Sequence, residues 1–289
     1  MSSWTPNPGN VPPGLHFVAT PIGAARDITL KALDILAGAD VLAAEDTRTL
    51  RHLMEIHGVA LNGRPVLAYH DHNGDQMRPR LIEALKAGKS VAYASEAGTP
   101  LVADPGYQLA RAAIDEGLTV LAAPGPSALL CALSVSGLPS DRFFFAGFLP
   151  PKSAARKTVL RELSQVQASL ILYESPRRIE ACLKDMVLSF GADRQAALCR
   201  ELTKKFEEIT RGSLADLAES VAGRDIKGEI VLVVDRAVPV AADAATVEDA
   251  LRQALKTQSS KDAAAQVAEA FGLPRREVYQ LALSLEGRE

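Results

Sequence analysis

Short apolar runs in the first half of the chain each end in a loop of small and polar residues. The run at 91–94 leads directly into SEAGTP at 95–100, where glycine, alanine and proline let the backbone approach a ligand closely. Four similar runs end in the loops TPIG at 20–23, EDTR at 45–48, HDH at 70–72 and PGPS at 124–127. Such loops could bind a small molecule through hydrogen bonds and could supply an acid or a base.

Two carboxylates and a guanidinium lie together in the loop at 45–48. A carboxylate beside a guanidinium can orient a polar substrate or hold a proton acceptor ready, so Glu45 and Asp46 are candidate catalytic residues and Arg48 is a candidate substrate-binding residue. The structural alternative is that Asp46 or Thr47 caps the helix that begins here. That alternative leaves Glu45 and Arg48 available for chemistry.

The two histidines of the loop at 70–72 suggest either a metal site or a substrate-facing loop. Alternate residues of a strand point to opposite faces, so His70 and His72 converge only if the strand has already ended, and no further ligand cluster accompanies them. We therefore predict no metal. His72 becomes a candidate substrate-binding residue and His70 a candidate base.

Helical patterns separate the apolar runs and predict a mainly parallel sheet. Several of these helices end at a glycine that could adopt a left-handed cap, namely Gly38, Gly58, Gly88 and Gly117. The β-α order gathers the five polar loops along one edge of the sheet, which is where open α/β folds bind small molecules. The second half predicts a mixed sheet, with strands at 143–147, 169–173, 196–199, 207–211 and 229–234 and helices at 152–166, 176–190 and 213–221.

The length of 289 residues suits two α/β domains and a small appendage. We predict a flexible tail at 1–14, α/β domains at 15–126 and 127–237 with a ligand cleft between them, and a helical module at 246–289. Within that module a glycine turn separates two short helices at a spacing similar to a helix-turn-helix, and Arg275 and Arg276 begin the last helix. The module carries no excess of basic residues, so it could read RNA or serve only for packing.

Composition limits the function classes. A formal net charge of −3 argues against binding to nucleic acid through bulk charge. A local basic patch remains at 150–165, where Lys152, Arg156, Lys157 and Arg161 oppose one acid, and it could form a solvated helix face or contact RNA phosphates. The three cysteines lack CxxC spacing and suggest buried free thiols in a reducing cytoplasm. No apolar run approaches the ~20 residues that span a membrane.

Motifs of three other enzyme classes fail. The triplet GKS at 88–90 lacks the required glycine five positions earlier and precedes a strand, which excludes a P-loop. The sequence contains no GxGxxG and no GxSxG, which removes support for a dinucleotide site and for a hydrolase nucleophile elbow. The ligand of the polar loops need not carry phosphate.

Six further motifs follow the five loops along the chain: DPG at 104–106, GLPSDRF at 137–143, GFLPPK at 147–152, YESPRR at 173–178, RELTK at 200–204 and KGE at 227–229. In this order the loops and motifs resemble the ribosomal RNA small subunit methyltransferase I family, of the tetrapyrrole methylase superfamily. The match extends from about residue 15 to 237, and the tail is similar to the family's C-terminal helical module.

The resemblance implies a homodimer of two-lobed subunits that uses S-adenosylmethionine to methylate the ribose 2′-hydroxyl of a cytidine in 16S rRNA of the small ribosomal subunit. It implies cofactor contacts at Pro21, Glu96, Gly98, Thr99, Ser127, Ala128, Tyr173, Leu202 and Gly228. At position 96 the family more often has Asp, and at Ala24 it commonly has Asn. A ribose hydroxyl is a poor nucleophile, so a base is expected, with Glu45, Asp46, His70 and Lys204 as candidates in falling order. A tetrapyrrole-type small-molecule methyltransferase and a non-catalytic RNA-binding protein are the alternatives.

Overall fold

The computed structural model describes residues 7, 9, 11–70, 72–237 and 244–286. The chain divides into two compact units, Met1–Arg236 and Ala237–Glu289. The predicted tail at 1–14 lies largely outside the described residues, as does most of the segment that precedes the helical module.

Five parallel strands form the first sheet, in the order β3-β2-β4-β1-β5. They are β1 (Gly14–Val18), β2 (Val41–Ala44), β3 (Val66–Ala68), β4 (Ser90–Ala94) and β5 (Val120–Ala123). The helices that connect them are α1 (Leu30–Gly38), α2 (Thr47–Ile56), α3 (Gly74–Lys86) and α4 (Tyr107–Asp115). Because all strands run the same way, their carboxyl ends share one edge, and the prediction of a mainly parallel sheet is confirmed.

Buried apolar side chains on both faces hold this sheet between its helices. Leu36, Leu42 and Met54 belong to the cluster on one face, and Leu15, Tyr93 and Leu109 to the cluster on the other. Strands covered on both faces are continuously apolar rather than alternating, as in β2 and β4, where every residue is buried. The central strands β1, β2 and β4 of this sheet are buried along their whole length and carry loops at the shared edge.

The predicted glycine caps are partly correct. Gly58, Gly88 and Gly117 follow helices with φ of 65°, 74° and 69°, the left-handed conformation that terminates a helix. Gly38 differs, because it is the last residue of α1 and the chain leaves that helix through Ala39 in an extended conformation, with φ −64° and ψ 142°.

The second sheet is mixed, in the order β6-β7-β10-β8-β9. Only the β6–β7 pairing is parallel. The elements are α5 (Ala128–Ser136), β6 (Phe143–Phe148), α6 (Ser153–Leu163), β7 (Ser169–Glu174), α7 (Ile179–Phe190), β8 (Gln195–Arg200), β9 (Glu208–Ser213), α8 (Leu214–Val221) and β10 (Ile230–Val234). Helix α7 begins three residues later than predicted, because Pro176 lies in a turn closed by the Ser175 carbonyl.

Both sheets lie in the first compact unit. Helix α5, just after the predicted boundary at 126–127, packs on the second sheet, where Leu129 and Leu133 meet Val231 and Val233. The division at that boundary stays a prediction.

The described part of the second unit consists of three helices: α9 (Ala244–Leu255), α10 (Ser260–Phe271) and α11 (Arg275–Glu286). Leu251, Val267 and Ala282 lie in its own apolar core. Gly272, with φ 62°, forms the turn between α10 and α11. A two-lobed α/β fold with a helical C-terminal module is thus confirmed.

Candidate functional site

A cavity of about 430 Å³ lies between the carboxyl edge of the first sheet and the second sheet. Its volume falls within the ~300–1,000 Å³ of small-molecule sites. The lining residues come from the loops after β1, β2, β4 and β5, from the ends of β6 and β7 and from the start of β10. They are Ile22, Glu45, Glu96, Ala97, Gly98, Thr99, Val102, Ala103, Asp104, Ser127, Ala128, Phe148, Tyr173, Glu174, Ser175, Pro176, Gly228, Glu229, Ile230 and Val231.

Short hydrogen bonds hold three loops of the first sheet together at the cavity. The amides and carbonyls of Thr20 and Gly98 exchange two bonds, of 2.9 and 3.0 Å. The Ser95 hydroxyl donates to the Gly98 carbonyl at 2.6 Å, and the Thr99 hydroxyl donates to the Pro126 carbonyl at 2.9 Å. The loops after β1, β4 and β5 therefore form one fixed wall.

Gly98 is required by two features of this wall. Its φ is +84°, where a side chain is strained, and a Cβ there would lie 3.3 Å from Cγ2 of Ile22. Two non-glycine residues further along the loop, Leu101 and Ala103, also have positive φ, of 73° and 58°. Strained backbone of this kind persists where the surrounding structure enforces it, and it is concentrated at functional sites.

Asp104 follows the strained segment and lines the cavity. Burial raises its pKa to about 7, with further contributions from the negative charges of Glu45 and Glu96. A carboxyl in this environment can exchange a proton near neutral pH, as a general base does.

The wall from the second sheet is aromatic. Tyr173 packs edge-to-face between Phe145 and Phe148, at ring-centroid distances of 4.9 and 5.6 Å. Burial raises the pKa of Tyr173 to about 12, so its phenol stays neutral and can donate a hydrogen bond.

Seven of the nine predicted cofactor residues line the cavity: Glu96, Gly98, Thr99, Ser127, Ala128, Tyr173 and Gly228. Pro21 and Leu202 do not. Pro21 precedes the lining residue Ile22, and Leu202 is buried beside Ile22 in an apolar cluster. The structure brings the predicted set together from both sheets, and its role in cofactor binding stays a prediction.

Among the candidate bases, Glu45 lines the cavity, whereas Asp46 does not. The Asp46 carboxylate accepts hydrogen bonds from the amides of Arg48 and Thr49 and caps α2. Its side-chain hydrogen bond to Arg48, together with those amide bonds, lowers its pKa to about 2. Arg48 pairs with Asp46 at 3.0 Å while its side chain remains 89% exposed. The structural alternative therefore accounts for Asp46, which is a poor proton acceptor.

Neither His70 nor Lys204 lines the cavity. His70 follows β3, its Nδ1 is buried without a hydrogen-bond partner in the described part of the chain, and its ring centroid lies 6.0 Å from that of the exposed His72. Burial alone would lower the pKa of Lys204, but hydrogen bonds to Glu201 and Glu229, each 2.9 Å, outweigh it and raise that pKa. A lysine held protonated cannot accept a proton.

The burial of Arg156 contradicts the prediction that this residue contacts RNA. Such a contact requires an exposed side chain, yet Arg156 is only 3% exposed and pairs with the buried Asp185 of α7 at 2.6 Å. Lys157 reaches the same carboxylate at 3.3 Å but stays 40% exposed, and Lys152 is exposed. Arg156 thus joins α6 to α7, and the other two cations remain at the surface.

Arg275 and Arg276 are exposed at the start of α11, in the second unit. Cations are not favoured by the dipole at a helix N-terminus, so the helix does not explain their position. They remain candidate RNA contacts.

Sequence reasoning missed Asp104, although its DPG motif was noted. The signal was a carboxylate in the same loop as SEAGTP. It also missed Phe148, Glu174 and Glu229, which only the tertiary structure brings to the cavity.

Neither a metal site nor a membrane span is found in the described ranges. No three His, Cys, Asp or Glu residues there are grouped to hold a metal ion, and Asp71, between the two histidines, lies outside those ranges. No described helix is both long and apolar enough to cross a membrane.

Comparison with known proteins supports the resemblance. The family model for tetrapyrrole (corrin/porphyrin) methylases matches residues 14–218, and that for the RsmI C-terminal HTH domain matches residues 241–286. A Mesorhizobium japonicum protein named ribosomal RNA small subunit methyltransferase I is 48% identical over 275 residues, 95% of this chain and 92% of that protein. A protein of the same name from Xylella fastidiosa is 45% identical, covering 93% of this chain and 99% of its own length.

The fold is also shared with solved structures. Uroporphyrin-III C-methyl transferase from Thermus thermophilus, complexed with S-adenyl homocysteine, superposes with a TM-score of 0.53 and 19% identity, over 77% of this chain and 97% of that chain. At this identity the likeness concerns the fold alone.

Proposed function

This chain belongs to the ribosomal RNA small subunit methyltransferase I family of the tetrapyrrole methylases, and we propose that it transfers a methyl group from S-adenosylmethionine to the ribose 2′-hydroxyl of a cytidine in 16S rRNA of the small ribosomal subunit. The observation that carries the proposal is the cavity, which gathers residues expected to contact the cofactor from both sheets. The proposed substrate would place the protein in the cytoplasm.

The residues of the cavity fit S-adenosylmethionine in size and charge. That molecule carries a cationic sulfonium and an amino group and has no phosphate. The cavity is lined by five carboxyl groups, those of Glu45, Glu96, Asp104, Glu174 and Glu229, and none of its described lining residues is Lys, Arg or His. An anionic cavity favours a cation and would repel the phosphates of a nucleotide.

The backbone of the loops would hold the cofactor, and two aromatic residues would shape its site. Gly98 and Thr99 offer peptide groups on one wall, and Ser127 and Ala128 offer the amino-terminal turn of α5. Tyr173 closes the opposite wall against Phe148, which is 57% exposed at the cavity. These groups could orient a methyl donor and exclude water from it.

The bound cofactor supplies an activated methyl group, and the chain must align the acceptor and remove its proton. Alignment of two reactants supplies about 7–11 kcal/mol of the barrier in favourable cases. A positioned base contributes about 10²–10⁴-fold. Of the four bases expected from sequence, Glu45 retains the support of position, since it lines the cavity.

Exposed cations are proposed to position the RNA. Lys152 immediately precedes α6 and Lys157 lies on it, whereas Arg48 lies in the first turn of α2 and His72 follows β3. Lysine and arginine contacts to phosphate orient a nucleic acid without reading its sequence. Arg275 and Arg276 would add contacts from the helical unit, which the comparison relates to a C-terminal HTH domain.

We also propose a homodimer. Strand β6 is an edge of the second sheet and exposes Phe143 and Phe144 by 44% and 46%. An edge strand with exposed aromatic residues is a liability unless another surface covers it, and a second copy would do so. Analytical ultracentrifugation that finds only a monomer would contradict this part of the proposal.

A methyl-transfer assay tests the function. The protein is incubated with radiolabelled S-adenosylmethionine and, separately, small ribosomal subunits lacking the modification, naked 16S rRNA and a porphyrinoid. We expect label in the rRNA of the subunits. Label in the porphyrinoid alone would support a tetrapyrrole methyltransferase, and RNA binding without transfer would support a non-catalytic protein.

A further inference from the structure

Asp104 is unusual among the carboxylates of the first unit. Asp46, Asp185 and Glu201 each pair with a cation, at 3.0, 2.6 and 2.9 Å. Asp104 lines the cavity, is half-buried, and has no hydrogen bond or ion pair to another described residue. Neither carboxyl oxygen of Asp104 is fully buried, so both are accessible from the cavity that the residue lines and can interact with a bound molecule.

The groups that face Asp104 are negative or neutral. Glu45 follows β2 and Glu96 follows β4, and both act on Asp104 through their charge. From the second sheet, Tyr173 interacts electrostatically with Asp104 and with Glu229. Three cations are paired with other carboxylates around the cavity or its loops. Arg178 pairs with Glu174 at 2.6 Å and Lys204 with Glu229 at 2.9 Å. Arg48 pairs with Asp46 and also interacts with the charge of Glu96.

We infer that Asp104 is the proton acceptor for the ribose hydroxyl, and that the anionic cavity couples its ionisation to the arrival of the cationic cofactor. This inference rests on the proposed function. Asp104 alone of the cavity carboxyls combines burial, two anionic neighbours and no partner within the described residues. In this account Glu45 does not accept the proton but tunes Asp104 through its charge.

The negative charges of Glu45 and Glu96 explain how Asp104 can be protonated in the free protein and ionised once the cofactor is bound. In the free protein burial and the two negative charges raise the pKa of Asp104 to about 7, so the neutral acid is well populated at neutral pH. A positive charge entering the cavity favours the ionised form and lowers that pKa. Asp104 would therefore lose its proton when the cation binds and would stand ready as a base.

The transfer step balances in atoms and charge. The ribose oxygen forms a bond to the methyl carbon, and the bond between that carbon and sulfur breaks with its electron pair left on sulfur. The hydroxyl proton passes to a carboxylate oxygen of Asp104. The positive charge on sulfur and the negative charge on Asp104 disappear together, so the cavity ends the step with unchanged net charge.

Proton release on cofactor binding tests the coupling without any turnover. S-adenosylmethionine is titrated into the full-length protein by calorimetry at about pH 7, in buffers of different ionisation enthalpy, for wild type, Asp104→Asn and Asp193→Asn. Asp193 is an exposed carboxyl between α7 and β8 and serves as the matched control. S-adenosylhomocysteine, whose sulfur is neutral, is the second ligand.

We expect wild type and Asp193→Asn to release a fraction of a proton with S-adenosylmethionine and less with S-adenosylhomocysteine, and Asp104→Asn to release none. Glu45→Gln should keep the release but shift it to lower pH. Wild-type release from Asp104→Asn, or cofactor binding to wild type without any release, would overturn the inference and leave the proposed function intact. No binding to wild type would overturn both.

Kinetics on small ribosomal subunits test the role as acceptor. Asp104→Asn should lower kcat by about 100-fold or more while the KM for S-adenosylmethionine changes only a few-fold. Asp104→Glu, which restores a carboxyl, should recover part of the rate, and Asp193→Asn should match wild type. A wild-type kcat in Asp104→Asn would show that another group takes the proton.

Discussion

Replacement of Gly98 by alanine tests whether the cavity is the cofactor site. Gly98 has φ +84°, and a Cβ there would meet Cγ2 of Ile22 at 3.3 Å. A left-handed conformation costs a non-glycine residue about 1–2 kcal/mol. The contact adds a second effect, because Ile22 lines the cavity and must shift by a few tenths of an ångström to admit the methyl group.

Gly88→Ala separates these two effects. Gly88 has φ +74°, and its Cβ would find nothing within 4 Å. It ends the turn between α3 and β4 and is exposed. Both variants should therefore lose about 1–2 kcal/mol of unfolding free energy from backbone strain, and only Gly98→Ala should disturb the cavity.

Calorimetric titration with S-adenosylmethionine and denaturant unfolding measure the two quantities. We expect Gly98→Ala to weaken the affinity about tenfold, equivalent to about 1.4 kcal/mol, and Gly98→Leu to abolish binding. Gly88→Ala should bind like wild type. Undiminished affinity in both Gly98 variants, with a cooperative unfolding transition retained, would refute the placement of the cofactor in this cavity.

Three further perturbations probe other parts of the account. Glu45→Gln removes a negative charge that raises the pKa of Asp104, so the pKa of Asp104 falls and the acid limb of the pH–rate profile should move to lower pH; an unmoved limb would contradict the coupling. Arg156→Met leaves Asp185 buried without its main partner and should lower the unfolding free energy by about 3–5 kcal/mol. Lys157→Gln should cost little stability and should reduce the salt dependence of RNA binding by about one phosphate contact. The opposite pattern would restore Arg156 as an RNA contact. Arg275→Gln with Arg276→Gln should weaken binding of small subunits at unchanged affinity for S-adenosylmethionine, and equal methylation at limiting substrate would assign the helical unit to packing.

Local sequence patterns predicted the first sheet because each strand is short, apolar and followed by a polar loop. Strands β2 and β5 end at Ala44 and Ala123, directly before the predicted polar loops at 45–48 and 124–127. The parallel order then brought Gly98, Thr99 and Ser127 to one cavity. These inferences needed only the edge that parallel strand ends share.

Residues whose role depends on distant partners could not be predicted in the same way. Arg156 has the sequence context of a solvated cation, but its partner Asp185 lies 29 residues away on another helix. Asp104 depends on burial and on Glu45 and Glu96, which follow two different strands. Both environments depend on residues that are close in the fold but distant in the sequence, and hydrophobic periodicity does not indicate which distant residues come together.

Mass spectrometry of the methylated nucleoside shows whether this chain methylates the ribose of a cytidine in 16S rRNA. Small ribosomal subunits lacking the modification are treated with the full-length protein and S-adenosylmethionine, and their 16S rRNA is digested to nucleosides. We expect 2′-O-methylcytidine to appear with the wild-type protein and to be absent when the Gly98→Leu variant replaces it. A methyl group on a base, on a nucleoside other than cytidine, or on no nucleoside at all would contradict the proposed function.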